Sequence, residues 1–315
     1  MSILITGGAG FIGLEVARQL LAEGETEVTV FSRNPSPARL GGLADRLTAV
    51  AGDVGNFSHV LEAVKNARPS TIYHLGAMLS VPSDADPANA IQTNAMGTFY
   101  VLEAARMFDV PQVIFSSSIG TYGRDVPDAA IDDLTLQRPT LFYGATKAFG
   151  EHMGLFYRRK YDLDFRGIRY PSVVGPGVST PGVAQYTSWM IEACADGKPF
   201  TAWVTPETRM PIMYLSEAAA ATILLARAAK DSIKTVNYLV DGVKPTPSAG
   251  ELANAVRAKL PEAQIDFQPD PKIQPLIDAV VRPVDDGRAR EEWGWQPTHD
   301  LDRMVDEFLA VRRNE

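Results

Sequence analysis

The sequence predicts an α/β fold with a doubly wound parallel sheet and a smaller C-terminal lobe. In the first 172 residues, six short apolar runs alternate with segments of helical spacing, and a glycine-rich turn follows the first run directly. After residue 171 this alternation is interrupted by stretches rich in Pro, Gly, Ser and Thr. We therefore expect residues 1–172, with 214–241 returning to them, to form the sheet domain. Residues 173–213 and 242–315 are expected to form the lobe.

The composition of the 315-residue chain is that of a globular protein, with 45% hydrophobic and 22% charged residues. The net charge of −8 and the lack of a basic run argue against a nucleic-acid partner. Cys194 is the only cysteine and there are four histidines, so neither a disulfide nor a metal site is expected. No window approaches about 18 apolar residues, so no membrane span is expected. Residues 1–5 resemble a strand rather than a signal peptide, and we expect a cytoplasmic location.

The first βα unit carries a glycine pattern, G-x-x-G-x-x-G, between an apolar run at 3–5 and a helix at 11–22. Gly7 allows a tight turn, Gly10 allows the backbone to approach a pyrophosphate, and Gly13 allows the helix to pack close to the strand. The helix N-terminus offers unpaired N–H groups to the phosphates. This context predicts a Rossmann-type dinucleotide site; the alternative is a plain glycine-rich βα turn.

Selection between NAD and NADP is expected at the end of the second strand, residues 28–31. An acidic residue there would bind the ribose hydroxyls and favour NAD. This chain has Ser32 and Arg33 instead, and a guanidinium makes forked contacts with phosphate. We favour NADP, with NAD as the alternative if Arg33 is only solvated.

Residues 34–46 are predicted to be a loop, and strands are predicted at 47–51 and 71–75. Asp53 follows the first of these as an adenine contact or as the N-cap of a helix at 57–66. Small residues after the second strand, Gly76 and Ala77 beyond Leu75, would let a cofactor lie across the strand end. His74 lies in an apolar strand and is interpreted as structural.

Residues 87–108 are predicted to form one long helix. Asn94, in its middle, is expected to bind backbone near the active site; the alternative is an exposed polar residue. The fifth strand, 113–115, is followed by Ser116, Ser117 and Ser118 at the sheet edge where ligands bind. A sixth strand is predicted at 163–168.

The helix at 141–160 carries Tyr143 and Lys147, which share one face because they are four residues apart. A lysine ammonium beside the phenol would favour the phenolate, and the pair could then move a proton on or off a substrate oxygen. The alternative is a surface helix with an ordinary tyrosine.

The second half is predicted to contain helices at 183–196, 248–259, 286–293 and 300–312, with short strands at 200–204, 210–214, 235–240 and 264–267. Ser216 is expected to cap an apolar helix that ends at Ala229.

Three motifs, T-G-G-A-G-F-I-G at 6–13, S-S-S at 116–118 and Tyr143-x-x-x-Lys147, together resemble the extended short-chain dehydrogenase/reductase (NAD-dependent epimerase/dehydratase) family. The resemblance covers nearly the whole chain. It implies that Ser118 polarises the substrate oxygen, that Tyr143 is the acid/base, and that Lys147 grips the nicotinamide ribose and lowers the pKa of Tyr143. It also implies a homodimer formed through two long helices of each subunit.

The resemblance further implies adenine contacts at Asp53 and Val54. The other expected cofactor contacts are Phe11, Ile12, Leu75, Asn94, Tyr170, Pro171 and Val173. Besides Ser118 and Tyr143, the expected contacts of a small-molecule substrate are Ser80, Ile119, Gln185 and Arg209.

Within this family the chain most resembles the L-threonine 3-dehydrogenase branch, through T-R-M-P-I-M-Y-L at 208–215 and the run at 284–295. It departs from that branch at 181–186 and 279–281, where several polar candidates for holding an amino acid are replaced. We therefore expect an NAD(P)-dependent oxidoreductase of a secondary alcohol or ketone with an altered substrate site. A nucleotide-sugar epimerase/dehydratase is the alternative, and a non-catalytic dinucleotide sensor is the least favoured.

Overall fold

The computed structural model describes residues 1–123, 126 and 130–313. Its principal feature is a seven-stranded parallel sheet. The strands, including four short ones outside this sheet, are β1 (Ser2–Thr6), β2 (Glu27–Ser32), β3 (Thr48–Ala51), β4 (Thr71–His74), β5 (Gln112–Ser118), β6 (Asp164–Tyr170), β7 (Ser172–Val174), β8 (Phe200–Ala202), β9 (Ile212–Tyr214), β10 (Asn237–Leu239) and β11 (Ile265–Phe267).

The strand order in the large sheet is β10-β6-β5-β4-β1-β2-β3. The chain therefore winds outward in one direction from β1 through β3, then returns and winds the other way from β4. Ligands of such sheets bind outside the carboxyl ends of the strands at this reversal. The doubly wound fold predicted from the sequence is confirmed.

Most helices follow the strands in the order that the sequence predicts, but the helices at Ser80–Ala85 and Gln274–Val280 were not predicted. The helices are α1 (Phe11–Ala22), α2 (Pro37–Leu40), α3 (Phe57–Ala67), α4 (Ser80–Ala85), α5 (Pro87–Ala90), α6 (Gly97–Met107), α7 (Phe142–Tyr161), α8 (Tyr186–Ala195), α9 (Leu215–Arg227), α10 (Ala249–Lys259), α11 (Gln274–Val280), α12 (Gly287–Trp293) and α13 (Leu301–Arg313), with a π-helix at Ile91–Met96 and a 3₁₀ turn at Gly41–Arg46.

Several local predictions were wrong. Residues 34–46 contain α2 and the 3₁₀ turn rather than only loop. The helix predicted at 87–108 is interrupted by the π-helix around Asn94. Asn56, not Asp53, caps α3, since its side chain accepts from Ser58 N and His59 N. Ser216 lies inside α9, which begins one residue earlier and has no side-chain cap.

The main core lies along the sheet, and its strands are buried on both faces. All seven residues of β6 are buried, and because alternate side chains point to opposite faces, helices must cover both sides. Residues such as Ile5 and Ile72, which are fully buried, each contribute roughly 1.5–3 kcal/mol through burial. This layered core fixes the positions of the strand ends on which the site is built.

A second apolar cluster lies in the later half of the chain and joins α8, α10 and α13 through residues such as Met190, Val256 and Phe308. Two small parallel pairs, β7 with β9 and β8 with β11, belong to this half. Ser248 and Glu251 form a capping box that starts α10. Within the described residues, no helix combines the length and apolarity needed to cross a membrane.

Candidate active site

Three glycine positions in and after the turn that follows β1 are packed too closely for a side chain. Gly7 has a φ of +70°, which favours glycine, and a Cβ there would lie 2.7 Å from the Gly76 Cα. A Cβ on Gly13 would lie 2.3 Å from the Gly7 carbonyl oxygen, and one on Gly10 2.9 Å from it. The turn therefore presents bare backbone and the start of α1 to the cavity, as a pyrophosphate requires.

One cavity of about 1230 Å³ runs along the carboxyl ends of the strands. It exceeds the roughly 300–1,000 Å³ of a typical small-molecule site, which leaves room for a dinucleotide and a substrate together. It is lined by most of the residues that the sequence indicates for the site: Gly7, Gly10, Phe11, Ile12, Gly13, Ser32, Arg33, Asp53, Val54, Leu75, Gly76, Ala77, Ser80, Ser118, Ile119, Tyr143, Lys147, Tyr170, Pro171, Val173 and Gln185.

The end of β2 has hydroxyl and guanidinium groups. The Ser32 hydroxyl accepts a hydrogen bond from Ala9 N at 3.0 Å, which ties this strand end to the glycine-rich turn. Arg33 is exposed and lines the cavity together with Arg39 of α2. Asp53, across the same end of the cavity, accepts from Gly55 N at 2.8 Å. The place where an acid would select NAD therefore carries cations.

Ser118, Tyr143 and Lys147 meet at the end of β5. The Ser118 side chain lies close enough to the Tyr143 hydroxyl to lower the pKa of the phenol. Ser118 Oγ also accepts from Gly120 N at 3.0 Å, which fixes its rotamer. Lys147 lies over the Tyr143 ring, with Nζ 5.6 Å from the ring centroid, and it donates to the Ser116 carbonyl at 2.5 Å. The three serines belong to β5, since 116–118 pair with 168–170 of β6.

The expected lowering of the pKa of Tyr143 by Lys147 is not found. Burial raises the pKa of Tyr143 to about 12, and the nearby Ser118 hydroxyl offsets only part of this effect. The ammonium lies over the ring and is bonded to a carbonyl rather than to the phenol. Burial lowers the pKa of Lys147 to about 7, against the opposing effect of Glu151. At neutral pH Tyr143 is therefore a neutral phenol, the form that can donate a proton.

A buried ion pair lies behind these groups and was missed from the sequence. Glu151, one helical turn beyond Lys147, accepts from Arg169 of β6 at 2.7 and 2.9 Å and from Ser117. Arg169 also donates to the Tyr122 hydroxyl at 2.8 Å. The i, i+4 spacing from Lys147 was the available signal, but nothing in the sequence links Glu151 to a strand-six arginine.

Two predicted contacts lie outside the cavity. Asn94 is buried and bonds both the N–H and the carbonyl of Met78, at 2.8 and 3.0 Å, and the Thr146 hydroxyl. It thus binds backbone near the site, as expected, but does not line it. Arg209 is about half exposed and paired with Glu251 at 3.1 Å. It was wrongly expected to contact substrate, because this carboxylate and the Thr246 carbonyl hold it elsewhere.

Tyr170 and Gln185 line the cavity, yet both polar tips have protein partners. The Tyr170 hydroxyl bonds the Thr222 hydroxyl, so a cofactor would meet its ring and backbone. Gln185 Nε2 donates weakly to the Thr180 carbonyl at 3.4 Å. His74 is structural as predicted: buried between the Thr6 and Thr98 hydroxyls, it has a pKa lowered to about 3 by burial and by Lys147.

The far wall of the cavity is largely apolar and comes from separate segments of the chain. Its apolar side chains are Leu141, Val183, Ala184, Met210, Ile277 and Val281. Val183, Ala184 and Val281 lie in the stretches 181–186 and 279–281, which the sequence indicated as an altered substrate site, whereas no pattern indicated Leu141 or Ile277 for the site.

A dinucleotide cradle that ends beside a hydroxyl pair and a buried lysine defines a class of enzyme, the nicotinamide-dependent oxidoreductases of the short-chain dehydrogenase type. Comparisons with known proteins agree with this class. The model of the NAD-dependent epimerase/dehydratase family matches residues 3–240. The mitochondrial L-threonine 3-dehydrogenase of Bos taurus is 30% identical over 99% of this chain and 83% of its own length.

Two solved structures are similar over nearly the whole chain. The holo form of the GalE-like L-threonine dehydrogenase from Cupriavidus necator has a TM-score of 0.91 and 29% identity, with 99% of this chain and all of that chain covered. The Thermus thermophilus UDP-glucose 4-epimerase in complex with NAD has a TM-score of 0.83 and 27% identity, with 98% and 99% covered. The chain belongs to the NAD-dependent epimerase/dehydratase family, within the extended short-chain dehydrogenase/reductases, and is an oxidoreductase of that family.

Proposed function

We propose that this enzyme interconverts a secondary alcohol and its ketone, in the manner of the threonine dehydrogenases that it resembles. The observation that carries the proposal is the meeting of Ser118, Tyr143 and Lys147 in a cavity that the glycine-rich turn also lines. The cradle fits a dinucleotide, because Gly7, Gly10 and the start of α1 line the cavity, where backbone N–H groups and the helix dipole favour phosphate. When bound, the nicotinamide supplies or accepts the hydride.

The side chains act on the substrate oxygen. In reduction, Tyr143 donates its proton to the oxygen, and burial keeps the phenol protonated for this step. Ser118 Oγ accepts from Gly120 N, so its own hydrogen is available to hold the same oxygen. Lys147 is anchored by the Ser116 carbonyl, and its remaining hydrogens are available to the ribose of the cofactor. Oxidation uses the same groups with the proton moving in the opposite direction.

For the cofactor, Gly7, Gly10 and Gly13 would face the pyrophosphate, and Asp53 and Val54 the adenine. NADP is favoured over NAD because Arg33 and Arg39 line the end of β2, where a 2′-phosphate would lie. Residues 1–172 with 214–241 would form the cofactor domain, and 173–213 with 242–315 the substrate lobe. The two apolar clusters support this division for most of the chain, but Ala289, Trp293 and Trp295 pack with the sheet cluster rather than with the lobe.

The epimerase alternative requires a site for a nucleotide diphosphate in the lobe. Arg209, the cation considered for it, is paired with Glu251 and does not line the cavity. The alcohol dehydrogenase hypothesis is therefore favoured. An epimerase would retain its dinucleotide cofactor through purification and return the hydride to the same substrate.

A homodimer remains a proposal, supported by apolar side chains exposed on α7. Phe149 is 51% exposed and Phe156 41%, which is a reason to expect a partner on this helix face. The cytoplasmic location stays a prediction.

The test of the proposed function is the appearance of reduced nicotinamide, by absorbance, with secondary alcohols in the presence of NAD⁺ or NADP⁺. L-Threonine is included, and the reverse reaction is followed with ketones. Tyr143→Phe should bind the cofactor as tightly as the wild type and lose roughly 10²–10⁴-fold in turnover, because only the proton donor is removed. Retained turnover in this variant would contradict the assignment.

A further inference from the structure

The charged side chains of the cavity are unevenly placed. Among the described residues, those that line it are Glu15, Arg18, Arg33, Arg39, Asp53 and Lys147. Glu15 and Arg18 lie on α1 and bond one another at 2.7 Å, and Arg33, Arg39 and Asp53 surround the end of β2. Only Lys147 lies near the reacting groups. It donates to the Ser116 carbonyl and lies over the Tyr143 ring.

Much of the lobe side of the cavity, in its described part, is apolar. Leu141 and Met210 are buried, and Ile277 is 1% exposed. Val183 and Val281 complete this wall and pack against the second apolar cluster. A substrate held beside Tyr143 would therefore rest on hydrocarbon.

The polar side chains on this side are neutral; they are Ser80, Ser172, Ser179, Thr180 and Gln185, of which Ser80 and Gln185 are already bonded. Ser80 is buried, and its Oγ accepts a hydrogen bond from Val183 N at 3.4 Å. Gln185 donates to the Thr180 carbonyl. These groups can adjust to hold a carbonyl or hydroxyl oxygen, but they carry no charge to balance a carboxylate or an ammonium.

Charged groups near this wall are occupied outside the cavity. Asp278 of α11 accepts from Gln274 at 2.7 Å, and Asp84 of α4 accepts from Phe142 N at 3.1 Å. Neither lines the cavity. A buried charge without a partner is costly, so a charged substrate group would be rejected here.

We propose that the substrate is an uncharged ketone or secondary alcohol with an apolar body, rather than an amino acid, a hydroxy acid or a nucleotide sugar. This inference rests on the proposed function and specifies its substrate class. In reduction the carbonyl carbon gains a hydride from the reduced nicotinamide, which is oxidised by two electrons. The C=O π bond breaks, and its oxygen takes the Tyr143 proton, which water then replaces.

The test is binding of a matched pair of ligands that differ in charge. Ethyl acetoacetate and acetoacetate share the same ketone, and only the second carries a carboxylate. Each is titrated against the Tyr143→Phe protein loaded with NADPH, with the fluorescence of the bound cofactor as readout. Because this variant is expected not to turn over, binding is measured separately from activity.

The ester is expected to bind at least about tenfold more tightly than the acid, because the acid buries an unpaired charge. Equal dissociation constants, tighter binding of acetoacetate, or no measurable binding of the ester would each overturn the substrate class. Failure of the proposed function gives a different result: the ester binds, but the wild type does not reduce it.

A second variant tests whether the apolar wall is the cause. Val281→Arg places a cation on the wall and should reduce the preference for the ester at least about fivefold. Val281→Leu, the matched control, should leave it unchanged. An unchanged preference in a folded Val281→Arg protein, checked by circular dichroism, would overturn the role of this wall.

Discussion

Glu151 provides the sharpest test of how the protein maintains the charge of Lys147. Its side chain is 1% exposed and is bonded to Arg169, Ser117 and, at 2.9 Å, to Gln137. Its carboxylate raises the pKa of Lys147 and opposes the desolvation that lowers this pKa to about 7. Glu151→Gln keeps the shape of the side chain and removes the charge.

Two magnitudes follow from this geometry. The variant removes the carboxylate that is bonded to the Arg169 guanidinium, which is 5% exposed, and this costs about 3–5 kcal/mol in free energy of unfolding. Loss of an opposite charge one helical turn away should also lower the pKa of Lys147 by about one unit. One pKa unit corresponds to about 1.4 kcal/mol. With its pKa about one unit below the wild-type value of about 7, Lys147 of the variant would be mostly the neutral amine at pH 7.

The assay is kcat/KM for ketone reduction as a function of pH, together with urea unfolding. In the wild type the rate should fall as pH rises through about 7, because Lys147 loses its charge while Tyr143 stays protonated. In Glu151→Gln this fall should occur at lower pH. His74, with its pKa lowered to about 3, stays neutral throughout this range.

Ser117→Ala is the matched control, because it removes one hydrogen bond to Glu151 and leaves the carboxylate charge. It should cost about 1–3 kcal/mol of stability and leave the pH profile in place. A Glu151→Gln protein that folds and keeps the wild-type profile would refute the electrostatic role of Glu151. A profile that shifts equally in both variants would indicate a merely structural disturbance.

Three further changes test the cofactor site and the assembly. Gly13→Ala should weaken cofactor binding at least about tenfold, since its Cβ would lie 2.3 Å from the Gly7 oxygen. Calorimetry with NADPH measures the affinity. An unchanged affinity would contradict the assignment of this turn as the cofactor site. Arg33→Ala should reduce kcat/KM for NADPH by about tenfold or more and leave NADH nearly unaffected, whereas an equal loss with both cofactors would argue against a 2′-phosphate contact. Phe149→Glu should shift the sedimentation of a dimer toward the monomer. Val311→Glu, at an exposed apolar residue of α13, is the charge control away from this helix face. A wild type already monomeric would refute the dimer.

The sequence predicted the fold and the local motifs that line the cavity, because both depend on local signals. Gly7, Gly10 and Gly13 are required by close backbone contacts within a single βα unit, and Tyr143 and Lys147 share one helix. Such features repeat at fixed spacing and are visible in one chain. The strand and helix order followed from the same periodicity.

The parts that could not be predicted depend on tertiary contacts. Arg209 looked like a free cation, but Glu251, which is 42 residues away in the chain, holds it. The pKa of Tyr143 was expected to fall because Lys147 is four residues away, yet burial has the larger effect. Ile277 joins the cavity only because the lobe folds back over the sheet.

The central claim is that Tyr143 donates the proton in a hydride transfer to an uncharged ketone. Its most direct measurement is the mass of the alcohol formed from ethyl acetoacetate with NADPH deuterated at the transferred position. The account predicts an alcohol that carries one deuterium in the wild type, and almost no alcohol with Tyr143→Phe. Unlabelled alcohol, or equal labelled product from both proteins, would contradict it.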